Sequence, residues 1–228
     1  GGKKDGKWWS NEHNVSNTST SDAAQMGVVL AGLYRDPKEL FYKAYDLVRM
    51  WYSDPAFITQ AVAYICTVNA ITNGVSLNDL CGLLDDIAIG LREMSKKVSS
   101  YDDWTKPVGI LKVLQRPQLF PFPDDRFMPI AFGPDCHILN LLPAAYYYGY
   151  KYAHDFETGL LTAVNSGGNN MARAALTGGI LGAMGGIQSI PQRLIDGLKN
   201  ETEAIPEGYA SQGEYLLDLA KSVAEGRH

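Results

Sequence analysis

The chain has 228 residues, of which 46% are hydrophobic and 20% charged, a balance that is ordinary for a folded protein of one large or two small domains. Its net charge of −5 and pI near 5.4 leave no dominant basic face, which argues against a nucleic-acid partner. No continuous apolar run reaches the roughly 18 residues of a membrane span.

The three cysteines, Cys66, Cys81 and Cys136, are odd in number and lack C-x-x-C spacing. That pattern is typical of neither a disulfide scaffold nor a zinc site. It favours a reducing compartment, intracellular or organellar, and the sequence gives no further indication of location.

Residues 1–21 are polar and predict an extended arm. The arm carries Trp8 and Trp9. Two adjacent tryptophans are costly to leave in water, so we expect the arm to dock on a protein surface.

Residues 22–228 predict a single helical domain, because apolar residues recur at helical spacing between capping signals. Asp22 is expected to cap the first helix, with Met26 and Val29 on its buried face. Asp36-Pro37 and Asp54-Pro55 are two further start signals, and Asn73-Gly74 is a stop. The predicted helices cover residues 23–34, 37–52, 56–72, 77–98, 135–152, 156–164, 169–186, 191–198 and a last stretch to 224.

Residues 99–134 interrupt this pattern with six prolines among many aromatic side chains. Such a segment is too apolar for a free linker, so it predicts an ordered excursion over the helical body, with a short helix at 108–114. No stretch alternates long enough to predict a strand, and the fold class is therefore all-α.

A glycine turn at Gly167-Gly168 precedes the helix over 169–186. Asn169 or Asn170 suits the N-cap of that helix. Ala174, Gly178, Gly182 and Gly186 follow at every fourth position and form a stripe of small residues. The helix start could attract an anion, but close packing of a neighbouring helix is the favoured explanation of the stripe.

Several blocks resemble, in the same order, segments of the ADP-ribosylglycohydrolase / crystallin J1 family. Together they run from about residue 16 to 199, and the resemblance implies a compact multi-helix orthogonal bundle. The blocks are Ala23-Ala24-Gln25-Met26, Leu33 to Pro37, Asp54-Pro55, Ala163 to Gly168, Gly182-Ala183 and Ile190 to Leu198.

The departures from the family pattern concern its chemistry. Family members that cleave ADP-ribose bonds read Asn-x-Gly-Gly-Asp-x-Asp-Thr at the glycine turn, and the two aspartates and the threonine bind magnesium. The corresponding positions here are Asn169, Met171 and Ala172. The family's Thr-Asp-Asp-Thr metal segment has no counterpart, and the serine/glycine loop that holds the diphosphate, expected at 16–22, lacks its glycines.

The resemblance therefore implies no catalytic residue, no metal ligand and no cofactor. It implies instead a vestigial pocket in which Ser53 replaces a ribose-binding histidine. The residues of that pocket are Ser53, Asn165, Gly167, Gly168, Asn169, Asn170 and Met171.

Other candidate chemistry is weaker. Asp135-Cys136-His137 could suggest a nucleophile and its base, but neighbours on a helix point about 100° apart. The carboxylate pairs at 85–86, 102–103 and 124–125 are more typical of solvated surface than of a cation site. The tyrosines between 146 and 152 could stack a base, although core packing or a subunit contact is favoured.

The leading hypothesis is a catalytically inactive family member with a structural or assembly role in a larger protein complex. Its expected contacts with other subunits are the Trp8/Trp9 arm or the 99–134 excursion. One alternative is a fragment of a hydrolase whose first metal segment lies on a missing or separate polypeptide. Another is a module that binds ADP-ribose or a related nucleotide without cleaving it.

Overall fold

The computed structural model describes residues 19–98, 125, 128–198 and 205–226, and within them the chain is all-α, as predicted. Most of the N-terminal arm with Trp8 and Trp9, the carboxylate pair at 102–103, and the short helix expected at 108–114 lie outside the described residues. The helices are α1 (Asp22–Gly27), α2 (Leu30–Leu33), α3 (Pro37–Val48), α4 (Pro55–Thr72), α5 (Leu80–Val98), α6 (Met128–Phe132), α7 (Ile138–Lys151), α8 (Phe156–Asn165), α9 (Asn170–Gly185), α10 (Gln192–Asp196) and α11 (Gln212–Ala224).

Helix α4 forms the centre of the core. Every residue from Ile58 to Ile71 is buried. Helices α1, α3, α5, α7 and α9 pack around it. Its buried Asn69 bonds to the backbone of a neighbouring segment: Asn69 Nδ2 donates to Ala31 O (2.9 Å) and Tyr34 O (3.0 Å). A helix buried on all sides reads as a continuous apolar run, which is the pattern of this segment.

This helix is also long and apolar enough to cross a membrane by length and composition, contrary to the expectation that no run would qualify. However, 72% of it is buried inside the protein. Burial of that extent is what a core helix shows, so α4 gives no support for a membrane span.

The capping signals are confirmed at both Asp-Pro steps. Asp36 accepts a hydrogen bond from Lys38 N (3.0 Å), and Asp54 accepts one from Ala56 N (2.8 Å). Gly74, with φ of +89°, follows the end of α4 as predicted. Helix α3 ends at Val48, short of the predicted 52, because the chain turns there with Trp51 N bonded to Val48 O (3.0 Å).

Asp22 does not cap α1 as expected, because it is the first helical residue and Ser21 occupies the N-cap position. The first predicted helix is wrong in two further respects. It divides into α1 and α2 at Val28–Val29, where Ala31 N bonds to Val28 O (3.0 Å) in a tighter three-residue turn. Its buried face consists of small residues such as Ala23, Ala24 and Gly27, while Met26 and Val29 are more than half exposed. Close packing explains the reversal, because a Cβ on Gly27 would lie 2.5 Å from Ile65 Cδ1 of α4.

The small-residue stripe of α9 faces α8, but Gly178 and Gly182 lie at ordinary contact distance, so helix packing does not require glycine at either position. A Cβ on Gly178 would lie 3.5 Å from Leu160 Cδ1, and one on Gly182 would lie 3.9 Å from Phe156 Cε2. The tightest contact of α9 is instead at Gly179, which lies beside the stripe. A Cβ there would be 2.3 Å from the hydroxyl oxygen of Tyr64, which donates to Leu176 O (2.9 Å).

We expect Gly179→Ala to destabilise the protein by about 1–3 kcal/mol, because the new methyl displaces the Tyr64 hydroxyl from its buried bond. Urea unfolding measures the change. Gly178→Ala is the matched control, since its methyl makes an ordinary contact and the higher helix propensity of alanine favours it by up to about 1 kcal/mol. Adding Tyr64→Phe to Gly179→Ala should recover part of the lost stability, because the clashing hydroxyl is removed. Equal urea midpoints for Gly179→Ala and the unchanged chain would contradict this account.

Candidate functional site

The glycine turn joins α8 to α9 and lies against the loop that precedes α7. Gly167 and Gly168 both have left-handed backbone angles, with φ of +76° and +62°. A Cβ on Gly168 would lie 2.5 Å from Pro134 O, and Asn169 N donates to that same oxygen at 2.6 Å. Glycine is therefore required at Gly168 by both backbone angle and close approach.

The sequence offered Asn169 or Asn170 as the cap of α9, and the structure has Asn169 in that position. Its Oδ1 accepts a hydrogen bond from Ala172 N (3.2 Å), and Asn170 is the exposed first residue of the helix. Met171 is 78% exposed and Ala172 is buried.

These three positions offer little to a hard cation. The Asn169 side chain presents a neutral amide oxygen already used in the cap, Met171 a soft thioether, and Ala172 a methyl group. Magnesium prefers several oxygen ligands with at least one carboxylate, so this set does not fit the ion.

Arg173, which the sequence analysis did not single out, lies beneath the turn. It is fully buried. Its Nε and Nη2 donate to Ala163 O at 3.1 and 3.0 Å, and Nη2 also donates to Gly167 O. Nη1 is buried and has no hydrogen-bond partner among the described residues. Burial lowers the pKa of the guanidinium from its ordinary value, yet arginine remains charged in proteins. Arg173 is the one charged residue within Asn170–Gly185, and that isolation is the signal that could have identified it.

Ser53 and Asn165 complete the predicted set, and both are exposed. Ser53 follows Tyr52, whose hydroxyl donates to Thr20 O and accepts from Ala23 N (3.3 Å). The described part of the expected diphosphate loop therefore lies near the start of α4. Asn165 is the last residue of α8, at the edge of the turn.

Residues 19–21 pair with the loop before α7. Ile138 N donates to Ser19 O (2.8 Å), and Ser21 N donates to Cys136 O (3.1 Å). Through Pro134, this same loop also holds Asn169. The start of the domain and the glycine turn thus both bond to the loop that precedes α7.

His137 acts as a helix cap. Its Nδ1 accepts from Leu139 N (3.2 Å) at the start of α7, and Asp135 Oδ1 accepts from His137 N (3.0 Å) and Asn140 Nδ2 (2.9 Å). The side-chain bond from Asn140, followed by the backbone bond from His137, lowers the pKa of Asp135. The Asp135–Cys136–His137 run therefore caps the start of α7. It does not form a nucleophile and its base, in agreement with the unfavourable angles between neighbouring residues.

The tyrosines of α7 surround a buried carboxylate from the 99–134 segment. Asp125 accepts hydrogen bonds from Tyr147 Oη (3.0 Å), Tyr152 Oη and Lys151 Nζ. Burial alone would raise the pKa of Asp125, but the bonds from Lys151, Tyr152 and Tyr147 outweigh it, so the pKa is lowered. These tyrosines thus serve packing, the favoured explanation of the cluster, and Asp125 binds an ammonium group of its own chain.

Tyr148 connects this cluster to the glycine turn. Its hydroxyl donates to Asp125 O (2.8 Å) and lies 2.8 Å from Ser166 Oγ, at the C-cap of α8. Burial is the main reason that the pKa of Tyr148 rises to about 12. The segment around Asp125 is therefore attached to the same turn by neutral hydroxyl groups.

Asn169→Ala should lower the free energy of unfolding by about 0.5–2 kcal/mol, because the first turn of α9 loses its cap. Asn170→Ala, one residue later and exposed, is the matched control and should change stability by less than about 0.5 kcal/mol. Denaturant titration of both variants distinguishes them. Equal effects would show that the Asn169 cap contributes nothing.

Asp125→Asn should destabilise the protein at neutral pH, and the difference from the unchanged chain should shrink at about pH 3.5. The folded-state pKa of Asp125 lies below its unfolded value, so its stabilisation is present above the unfolded pKa of about 3.9 and is lost as the pH falls through the folded pKa. Urea unfolding at both pH values measures this. The exposed Asp196→Asn is the control, and a difference that stays constant with pH would contradict the assignment.

Comparison with known proteins agrees with this architecture. The sequence pattern of the ADP-ribosylglycohydrolase family matches residues 2–228. An uncharacterized protein of Archaeoglobus fulgidus is 36% identical over 93 residues, which are 41% of this chain and 26% of that protein. The match thus spans about a quarter of that relative's length. Because the family match covers almost the whole chain, this protein belongs to the ADP-ribosylglycohydrolase family.

Proposed function

We propose that this chain is a catalytically inactive member of its family, with a structural or assembly role in a larger protein complex. The observation that carries the proposal concerns the three positions that hold the family's metal ligands, Asn169, Met171 and Ala172. The one side-chain oxygen among them, that of Asn169, is used as a helix cap (3.2 Å to Ala172 N). The turn serves the fold, and its side chains offer no charge to a metal ion.

The chemistry of the turn supports the loss of magnesium. In the cleaving members that this sequence resembles, two aspartates and a threonine at this turn bind the ion. Two of those positions hold the exposed thioether of Met171 and the buried methyl of Ala172. Without anionic oxygen ligands the ion would lose hydration and gain little in return. We therefore propose that the chain uses no metal cofactor.

The neighbouring segment gives further support. The family's diphosphate loop would supply free backbone N–H groups to an anion. Here Ser21 N donates to Cys136 O (3.1 Å), and Thr20 Oγ1 donates to Asp22 Oδ2 (2.7 Å). The position of the ribose-binding histidine holds Ser53. These groups maintain contacts within the chain.

The assembly role is supported by apolar surface. Ile130, in the described part of the 99–134 segment, is 76% exposed, and Met171 is 78% exposed. Methionine is among the residues enriched at protein–protein contacts, and the buried centre of such contacts is more apolar than the rest of the surface. We propose the Trp8/Trp9 arm and the 99–134 segment as the contacts with other subunits. The net charge of −5 disfavours nucleic acid as the partner.

Isothermal titration with magnesium chloride tests the inactive assignment, together with turnover of ADP-ribosylated substrates at millimolar magnesium. We expect no saturable binding and no cleavage. Magnesium-dependent cleavage by the unchanged chain would overturn the proposal. Titration with ADP-ribose in the same buffer tests the binding-module alternative: micromolar affinity without cleavage would favour a nucleotide-binding module over a scaffold.

The triple variant Asn169→Asp, Met171→Asp, Ala172→Thr restores the turn's family ligands and is the matched reference for the magnesium titration. We expect its affinity for magnesium to exceed that of the unchanged chain, because two carboxylates are added. If the unchanged chain binds magnesium as tightly as this variant, the stated basis of the proposal is wrong.

The assembly role predicts that the native protein migrates, in extracts of its source cells, as a particle larger than the mass of its own polypeptide, which denaturing electrophoresis of the same extract measures. Size-exclusion chromatography followed by chemical cross-linking measures this. Ile130→Ser should shift the protein toward the monomer, whereas Leu161→Ser, at an exposed apolar residue of α8, should not. Migration only as a monomer would exclude the assembly role.

A further inference from the structure

The buried guanidinium of Arg173 has a place in the glycine turn that packing alone does not explain. It joins two carbonyl groups: Ala163 O, in the last turn of α8, and Gly167 O, in the glycine turn itself. The side chain comes from α9, so one residue connects the helix before the turn, the turn and the helix after it.

The electrostatics of this position favour a cation. The last carbonyl groups of a helix lack partners within the helix and carry a negative partial charge. A guanidinium supplies several donors in a fixed plane, and charge-assisted hydrogen bonds are about twice as strong as neutral ones. Arg173, ten residues after Ala163 in the sequence, thus caps the C-terminal end of α8.

The cost of this arrangement shows that the charge has a specific task. Among the residues that the structure describes, no carboxylate is paired with Arg173, and its Nη1 is buried without a partner. A buried cation without a counter-charge costs several kcal/mol of solvation, whereas an apolar side chain would fill the same space without that cost. The hydrogen bonds to Ala163 and Gly167 must offset the difference.

We propose that Arg173 is a built-in cation that holds the Gly167–Gly168 turn in shape without a divalent ion. In the cleaving members that this chain resembles, the acidic side chains of the turn bind magnesium. Here the turn contributes the carbonyl group of Gly167, which binds the guanidinium together with the carbonyl group of Ala163 in α8. This inference rests on the proposed loss of magnesium, but it does not depend on the assembly role.

The proposal makes Arg173 a positioning residue, which acts on the Asn169 cap and on the contact with Pro134. Both depend on the backbone of the turn, since Asn169 N donates to Pro134 O (2.6 Å) and Asn169 Oδ1 accepts from Ala172 N (3.2 Å). Without the guanidinium, the turn should open more often and these two amide protons should exchange faster.

Arg173→Met tests this by amide hydrogen exchange and thermal unfolding of the whole chain. We expect exchange at Asn169 and Ala172 to accelerate by about tenfold or more, and Tm to fall by about 5 °C or more. Neither EDTA nor magnesium should change the Tm of the unchanged chain. Arg193→Met is the matched control: Arg193 pairs with Glu157 at the surface, and its loss should change Tm by less than about 2 °C.

Arg173→Lys keeps the charge and provides a second measurement if the methionine variant does not fold. A single ammonium cannot reproduce the planar fork of the guanidinium. The amide exchange rates of the lysine variant at Asn169 and Ala172 should therefore lie between those of the unchanged chain and of Arg173→Met. Unchanged exchange at both amides in either variant would overturn the proposal. Magnesium binding by the unchanged chain would overturn the proposed function and with it the absence of a divalent ion, whereas unchanged exchange would overturn the role of Arg173 alone, so the two failures are distinguishable.

Discussion

Burial of α4 along nearly its whole length constrains the rest of the protein, because its polar groups must find partners among the helices around it. Asn69 binds carbonyl groups at Ala31 and Tyr34, which fixes α2. Tyr64 binds Leu176 O, which fixes α9 at a point where glycine leaves room for the hydroxyl. The glycine turn stands at the start of α9, so its position follows from the core.

The turn is over-determined by internal contacts. Pro134 holds it from one side, the Asn169 side chain closes the first turn of α9, and Arg173 bonds it to the end of α8. Tyr148 and Ser166 connect the same end of α8 to Asp125. A metal site needs ligand groups that are free to face the ion, and here these groups are engaged in maintaining the fold. This is the physical basis for proposing that the family scaffold persists without its reaction.

Much of the fold could be predicted from local signals. Asp36 and Asp54 cap their helices as expected, because a cap uses a side chain and an amide two residues apart. Gly74 follows α4 with the left-handed angle that its type favours. The glycine turn was located from its motif, and Gly168 has the angle and the close contact that the motif implied. The small-residue stripe was expected to allow close packing, but the close contact of α9 is at Gly179, beside the stripe.

The sequence by itself determined the fold class, the caps at Asp36 and Asp54, the family and the identity of the side chains at the turn, because these follow from local patterns and from motifs along the chain. Only the tertiary structure decided which side chains are buried together. Met26 and Val29 are exposed because Gly27 packs tightly on Ile65 of α4. Arg173 and Asp125 gained their roles from partners 6–10 and 22–27 positions away, and such pairings depend on how helices pack rather than on their periodicity.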